Sequence, residues 1–235
     1  MTIRLGYTAD SSGMPGSIFG HEPSFHPVRT NFPGSAKVNK CPAINDYYWS
    51  AFDFYVPYDL CFTVNELPGG DFSVSVNNTL TTLSPQWLRN AFDLTFAPDG
   101  IVQVSAHASW CFISDDPSVI VTQLPADRQT NPHPIRGQFD CYNWCRPLTY
   151  AFKFSPGDEI FISSDSPIFQ AKFYHPTEHR FTLQECEFTD VIRKMRLGAE
   201  LRDFNRKTDW RKVFAFAKTR RPKKVIEFIK EAKVI

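Results

Sequence analysis

The chain has 235 residues, 42% apolar and 15% aromatic, with 22 phenylalanines. That is enough to bury a sizeable core, and it excludes a disordered polypeptide. No run of 18 apolar residues occurs, so a membrane-spanning helix is excluded. The net charge of +1 conceals a division: residues 190–235 hold 15 Lys and Arg against 6 Asp and Glu, whereas residues 1–189 hold 11 against 19. The two parts therefore carry +9 and −8, an anionic body and a cationic tail.

From the N-terminus, residues 1–40 are rich in Gly, Pro, Ser and Asn and read as an irregular arm anchored by Phe19, Phe25 and Phe32. The opening MTIRLGYTADSSGMPG has no apolar segment of the kind a signal peptide needs, so export by that route is not expected.

From about residue 50 to 188 the period is two. In IVQVSAHASWCFI (101–113), Val102, Val104, Ala106, Ala108, Trp110 and Phe112 share one face, and Gln103, Ser105, His107 and Ser109 the other. This is the pattern of a half-buried antiparallel strand. FSVSV (72–76), YAFKF (150–154), EIFIS (159–163) and IFQAKF (168–173) repeat it. Turn signals LPGGD, APDG, SDDPS, SPGD and SSDSP separate the strands, and only SPQWLRNAF (84–92) reads as helical among them. The fold class is therefore mainly β: an antiparallel sandwich or jelly-roll-like body over residues 41–188.

Beyond Phe188 the period lengthens. Thr189 is placed to cap a helix carrying Leu197, Leu201 and Phe204 on one face. Thr208 is placed to cap a second, with Trp210, Val213, Phe214 and Ala217. Pro222 suits the first turn of a third, with Val225, Phe228, Ile229 and Ala232. Residues 189–235 are thus expected to form a basic helical tail whose apolar stripes need a cover.

Six scattered cysteines in a chain without an export signal read as reduced, mostly buried thiols. Cys141 and Cys145, in CYNWC, have neither the redox C-x-x-C spacing nor that of half a zinc ribbon.

The motifs that resemble catalytic signatures fail on context. HPTEH (175–179) has the form H-x-x-E-H, a zinc-peptidase signature that requires a helix to put both imidazoles on one face. Here it lies between two alternating segments and contains Pro176, so it reads as a turn. GHEPSFH (20–26) is one residue too long for H-E-x-x-H and is interrupted by Pro23. No histidine is followed two residues later by an acid, and no G-x-S-x-G, P-loop or G-x-G-x-x-G occurs. An alternative reading remains: a divalent-metal enzyme, oxygenase- or hydrolase-like, with ligands among His21, His26, His107, His175 and His179.

The tail carries KTRRPKK (218–224), five cations in seven residues. Lys218, Arg220, Arg221, Lys223 and Lys224, with Arg211 and Lys212, are the candidate binding residues. Their partner is an acidic protein surface, a second copy of the chain included, or nucleic acid. Docking on protein is favoured, because phosphate contacts do not cover apolar stripes; a membrane is not expected.

Two stretches carry a family resemblance. KCPAINDYY with YVPYDLCF (40–62), and PHPIRGQFDCYNWCRPLTYAFKFSPGDEIFISSDSPIFQAKFYHP (132–176), resemble an uncharacterised domain-of-unknown-function family of small β-rich proteins from marine tailed phages and some bacteria. The resemblance spans about residues 35–180. It implies a viral setting, in the host cytoplasm or the virion, and brings no catalytic residues. Within these stretches Gly137 reads as a turn, and Pro42, Pro57, Pro147 and Pro167 as strand starts. Arg146 reads as a partner of Asp140 or of the Trp144 ring.

Overall fold

The computed structural model describes residues 2–9, 25–28, 41–55, 59–70, 72–76, 92–96, 102–126, 133–143, 145, 147–187, 189–193 and 225–226. The described chain is mainly β, in three sheets. The first joins β14 (Arg180–Glu185), β1 (Thr2–Ala9), β7 (Val102–Ile113), β11 (Pro147–Phe154) and β9 (His133–Pro134), with β6 (Phe92–Phe96) also on β7. The second runs β10 (Gly137–Asp140), β8 (Ile120–Pro125), β13 (Phe169–Tyr174), β3 (Ala51–Phe54), β2 (Phe25–Pro27). The third is β12 (Glu159–Ile162), β4 (Leu60–Glu66), β5 (Phe72–Val76).

Phenylalanines hold the two larger sheets face to face. On β3 and β13, Phe54 stands opposite Phe169 and Phe52 opposite Ala171, and side chains directly opposite share a face. Phe54 stacks on Phe169 with centroids 4.5 Å apart, and Phe112 of β7 meets Phe54 at 5.6 Å and Phe173 at 5.8 Å. Phe52, Phe112, Phe169 and Phe173 are almost wholly buried. Each contributes about 1.5–3 kcal/mol of burial, and the edge-to-face pairs somewhat more.

Several expectations hold. The strand read at 101–113 is β7 from Val102 on, the segments at 72–76 and 150–154 lie in β5 and β11, and those at 159–163 and 168–173 match β12 and β13 to within one residue. Gly69 and Gly70, in LPGGD, take φ of 103° and 85°, which the turn requires and a Cβ would resist. Four of the six cysteines are buried and all six are free thiols. Thr189 does cap: its Oγ1 accepts from the Ile192 amide at 3.3 Å, and residues 190–193 form a helical turn.

Others are corrected. Residues 2–9 are not part of an irregular arm but an interior strand, parallel to β14 and antiparallel to β7, with Leu5 and Tyr7 buried. Phe25 belongs to β2. Pro42 starts no strand; it opens the helix α1 (Pro42–Ser50), where its missing amide N–H is one of those a helix leaves unbonded anyway. Gly137 is a strand residue opposite Gln123, not a turn. The Asp140 carboxylate accepts from the amide and side-chain nitrogens of Asn143, both at 2.7 Å. Val225 and Ile226, read as part of a third helix, are in neither helix nor strand, because their amides are bonded elsewhere. Phe19, Phe32, Pro57, Trp144, Arg146, most of the segment 84–92 and all of 194–224 lie outside the described residues.

Candidate functional site

The turn S-D-D-P-S between β7 and β8 gathers polar contacts both within itself and to two distant segments. It is first a self-braced turn. Ser114 Oγ donates to the Asp116 carbonyl at 3.1 Å and accepts from the Asp116 amide at 3.0 Å, and Asp116 Oδ1 accepts from the Ser118 amide at 2.8 Å. Short side chains that bond nearby backbone favour such turns. The bracing aims two consecutive carboxylates in different directions.

Asp116 reaches the turn that links β13 to β14. His175 Nε2 lies 3.2 Å from Asp116 Oδ2, while its Nδ1 accepts from the amides of Thr177 at 3.3 Å and Glu178 at 3.1 Å. An acceptor Nδ1 places the ring proton on Nε2, which then donates to Asp116. Both nitrogens of His175 are thereby used in shaping the turn. HPTEH is therefore a sheet-to-sheet link, since β13 and β14 belong to different sheets.

Asp115 holds the C-terminal segment. Its Oδ1 accepts from the Val225 amide at 2.9 Å and its Oδ2 from the Ile226 amide at 3.2 Å. The side chains of Val225 and Ile226 are buried in one cluster with Cys111, Ile113, Cys145, Cys186 and Ile192. Alternation along β7 explains the position: Phe112 points between the sheets, so Cys111 and Ile113 point to the opposite face, where the anchor covers them. Each aliphatic side chain contributes about 1.5–3 kcal/mol by burial. Each hydrogen bond to the charged acceptor contributes a similar amount. Ordering costs about 1–2 kcal/mol of backbone entropy per residue.

This anchor changes what the basic tail is. Ile192 and the Val225–Ile226 pair bury in the same cluster, so the interval 194–224 begins and ends at one place on the body. Those 31 residues hold 12 Lys and Arg against 3 Asp and Glu, which is the whole +9 of the tail. An open surface cleft of about 490 Å³ adjoins the anchor, lined by Arg4, Ser114, Asp115, Asp116, Pro117 and Ile226.

Within the cluster the Cys186 thiol is held protonated. Burial, then the neighbouring Cys111, Glu185 and Asp115, pushes the Cys186 thiol from 9.0 up to about 12. Burial, then Asp140, likewise pushes Cys141 far up. Thiols held protonated are poor nucleophiles and poor metal ligands.

A second polar group is buried beneath α1. Gln170 Nε2 donates to Asp53 Oδ1 at 2.8 Å, and the Tyr47 hydroxyl donates to Gln170 Oε1. Lys172 sits 4.9 Å from the Tyr47 ring centroid, and Arg180 5.0 Å from that of Trp49. These contacts fasten the helix to β13 and β14.

The residues expected to carry function are distributed as follows. Lys218, Arg220, Arg221, Lys223, Lys224, Arg211, Lys212 and His21 lie outside the described residues. His26 is exposed on β2 opposite Asp53, with its ring 5.6 Å from that of Tyr55. His175 is engaged as above, and His179 is exposed at the end of the same turn. His107 stands on β7 opposite Thr149. Among the described residues no three His, Cys, Asp or Glu are grouped to hold a metal ion. Asp115 was missed as a site residue, although one signal was present: the polar face of β7 turns apolar at Cys111 and Ile113, which calls for a cover. No protein-family model matches the chain, and neither a curated protein nor a solved structure gives a significant match.

Proposed function

We propose that the protein is a non-enzymatic binding or assembly protein whose basic C-terminal segment docks on acidic protein surface. The body is jelly-roll-like and the segment helical in this reading, and the resemblance noted above supports a phage setting. The observation that carries the reading is the Asp115 carboxylate accepting both Val225 and Ile226 amides while their side chains bury. It is an acidic loop gripping the tail through backbone, a mode of recognition that a second copy of the chain offers equally. The interval 194–224 is tethered at both flanks to an anionic body, and electrostatic attraction between opposite charges steers association and sets register. Nucleic acid is the competing partner, binding by counterion release.

The test compares the full chain with a variant in which Lys218, Arg220, Arg221, Lys223 and Lys224 are all replaced by Gln. Sedimentation and retention on double-stranded DNA are measured from low to high salt. Protein docking predicts salt-sensitive self-association that the variant loses. Salt-sensitive DNA retention without self-association selects nucleic acid. If the two chains behave alike in both assays, the proposal fails.

A further inference from the structure

Gly6 lies on β1 directly opposite Ile113. A methyl placed on it would come within 3.0 Å of Cys186 Sγ and within 3.3 Å and 3.4 Å of Cγ2 and Cδ1 of Ile226. The sulfur and the anchor thus approach the same point over the strand and leave no room there even for a Cβ. Cys186 is 2% exposed, and Val225 and Ile226 are nearly as well covered. Nothing can be added to that sulfur while the anchor is seated.

We propose that Val225–Ile226 is a strap over a modifiable thiol, so that seating of the strap and addition of a group to Cys186 exclude each other. The inference rests on the docked segment described above and adds its regulation. Two consecutive amides on one surface carboxylate and two aliphatic side chains form a small unit, and such units open locally without global unfolding. With the strap lifted, Cys186 is freed from the burial that keeps it protonated, and its thiolate attacks one sulfur of a low-molecular-weight disulfide. A new S–S bond joins Cys186 to one half of the reagent. The other half leaves as a thiolate and takes up the proton that Cys186 released. The added half then occupies the place of Ile226. The strap stays off, and the basic interval 194–224 keeps only its Ile192 flank. A dithiol reductant reverses the step. Because the two states are mutually exclusive, the coupling is reciprocal: whatever seats the strap protects the thiol, and whatever modifies the thiol releases the strap.

The experiment exposes the full chain to oxidised glutathione. It maps the mixed disulfide at Cys186 and follows amide hydrogen exchange at Val225 and Ile226. Asp115→Ala should speed modification of Cys186 on the order of 30-fold, the effect of losing hydrogen bonds to a charged acceptor. Modified wild-type protein should lose protection at both amides and regain it on treatment with dithiothreitol. Ile226→Ala, which leaves Asp115 in place, makes the same comparison should Asp115→Ala lose protection in β7 and β11. Equal Cys186 rates in wild type and in the folded variants overturn the proposal, as does modified protein that keeps its Val225 and Ile226 amides protected. If those amides are unprotected before any treatment, the docked segment itself is wrong and the proposed function falls with it. If they are protected and indifferent to modification, only the strap falls.

Discussion

Replacing Gly6 by Ala adds one methyl at a point already claimed by Cys186 Sγ at 3.0 Å and Ile226 at 3.3 Å. Overpacking a filled site costs about 1–3 kcal/mol. Against it stands the chain-entropy gain of Gly→Ala in a strand, about 0.5–1 kcal/mol. The net expectation is a loss of about 1–2 kcal/mol, or a fall in Tm of roughly 2–6 °C for a chain of this size. The diagnostic is coupling. Ile226→Ala removes two of the three atoms nearest the new methyl, so in Gly6→Ala/Ile226→Ala part of the strain is relieved and only the contact with Cys186 Sγ remains. The double variant should be about 1 kcal/mol more stable than the sum of the single effects predicts. Urea unfolding of the four proteins, followed by tryptophan fluorescence, measures this. Additive effects within a few tenths of a kcal/mol would refute the contact between β1 and the C-terminal anchor.

Three further outcomes are expected. His175→Ala should cost about 1–2 kcal/mol in urea unfolding, since it strips an acceptor from the Thr177 and Glu178 amides and a donor from Asp116; a chelator should leave the wild-type midpoint unchanged. Asp53→Ala should cost about 1–3 kcal/mol by leaving the buried Gln170 amide without its acceptor, and Asp53→Asn should cost less. Burial, followed by Glu185 and Cys186, lifts the Tyr7 hydroxyl from 10.0 to about 12. Because the folded protein holds this proton more tightly, the associated stability is complete below pH 10 and is lost as pH rises from about 10 to 12. Cys186 adds loss from about pH 9 upward, so Cys186→Ala should flatten the lower part of the alkaline decline in Tm.

Period-two stretches with Gly- or Pro-marked turns were legible because each is specified by neighbours a few residues away. Two elements were not, for opposite reasons. In TIRLGYTA the alternation of Ile3, Leu5 and Tyr7 is present, but the Gly- and Pro-rich residues after Ala9 obscured it. Its partners β14 and β7 lie over a hundred residues away. In α1 the run Tyr47-Tyr48-Trp49 favours strand locally, and packing on β3, β13 and β14 overrides that preference. The charge partition pointed to the C-terminal segment without revealing its receptor. SDDPS was readable as a turn, whereas the reach of Asp115 to an amide 110 positions along is a product of the fold. His175 shows the converse: the sequence supplied a metal signature, and the structure uses the ring as an internal turn brace.

Amide hydrogen exchange at Val225 and Ile226 in the unmodified full chain tests the anchored segment most directly. Two amides bonded to one carboxylate, with their side chains buried, should exchange on the order of a hundredfold more slowly than in an unstructured peptide, and Asp115→Ala should abolish most of that protection. Exchange at the free-peptide rate in the wild-type protein would contradict the account.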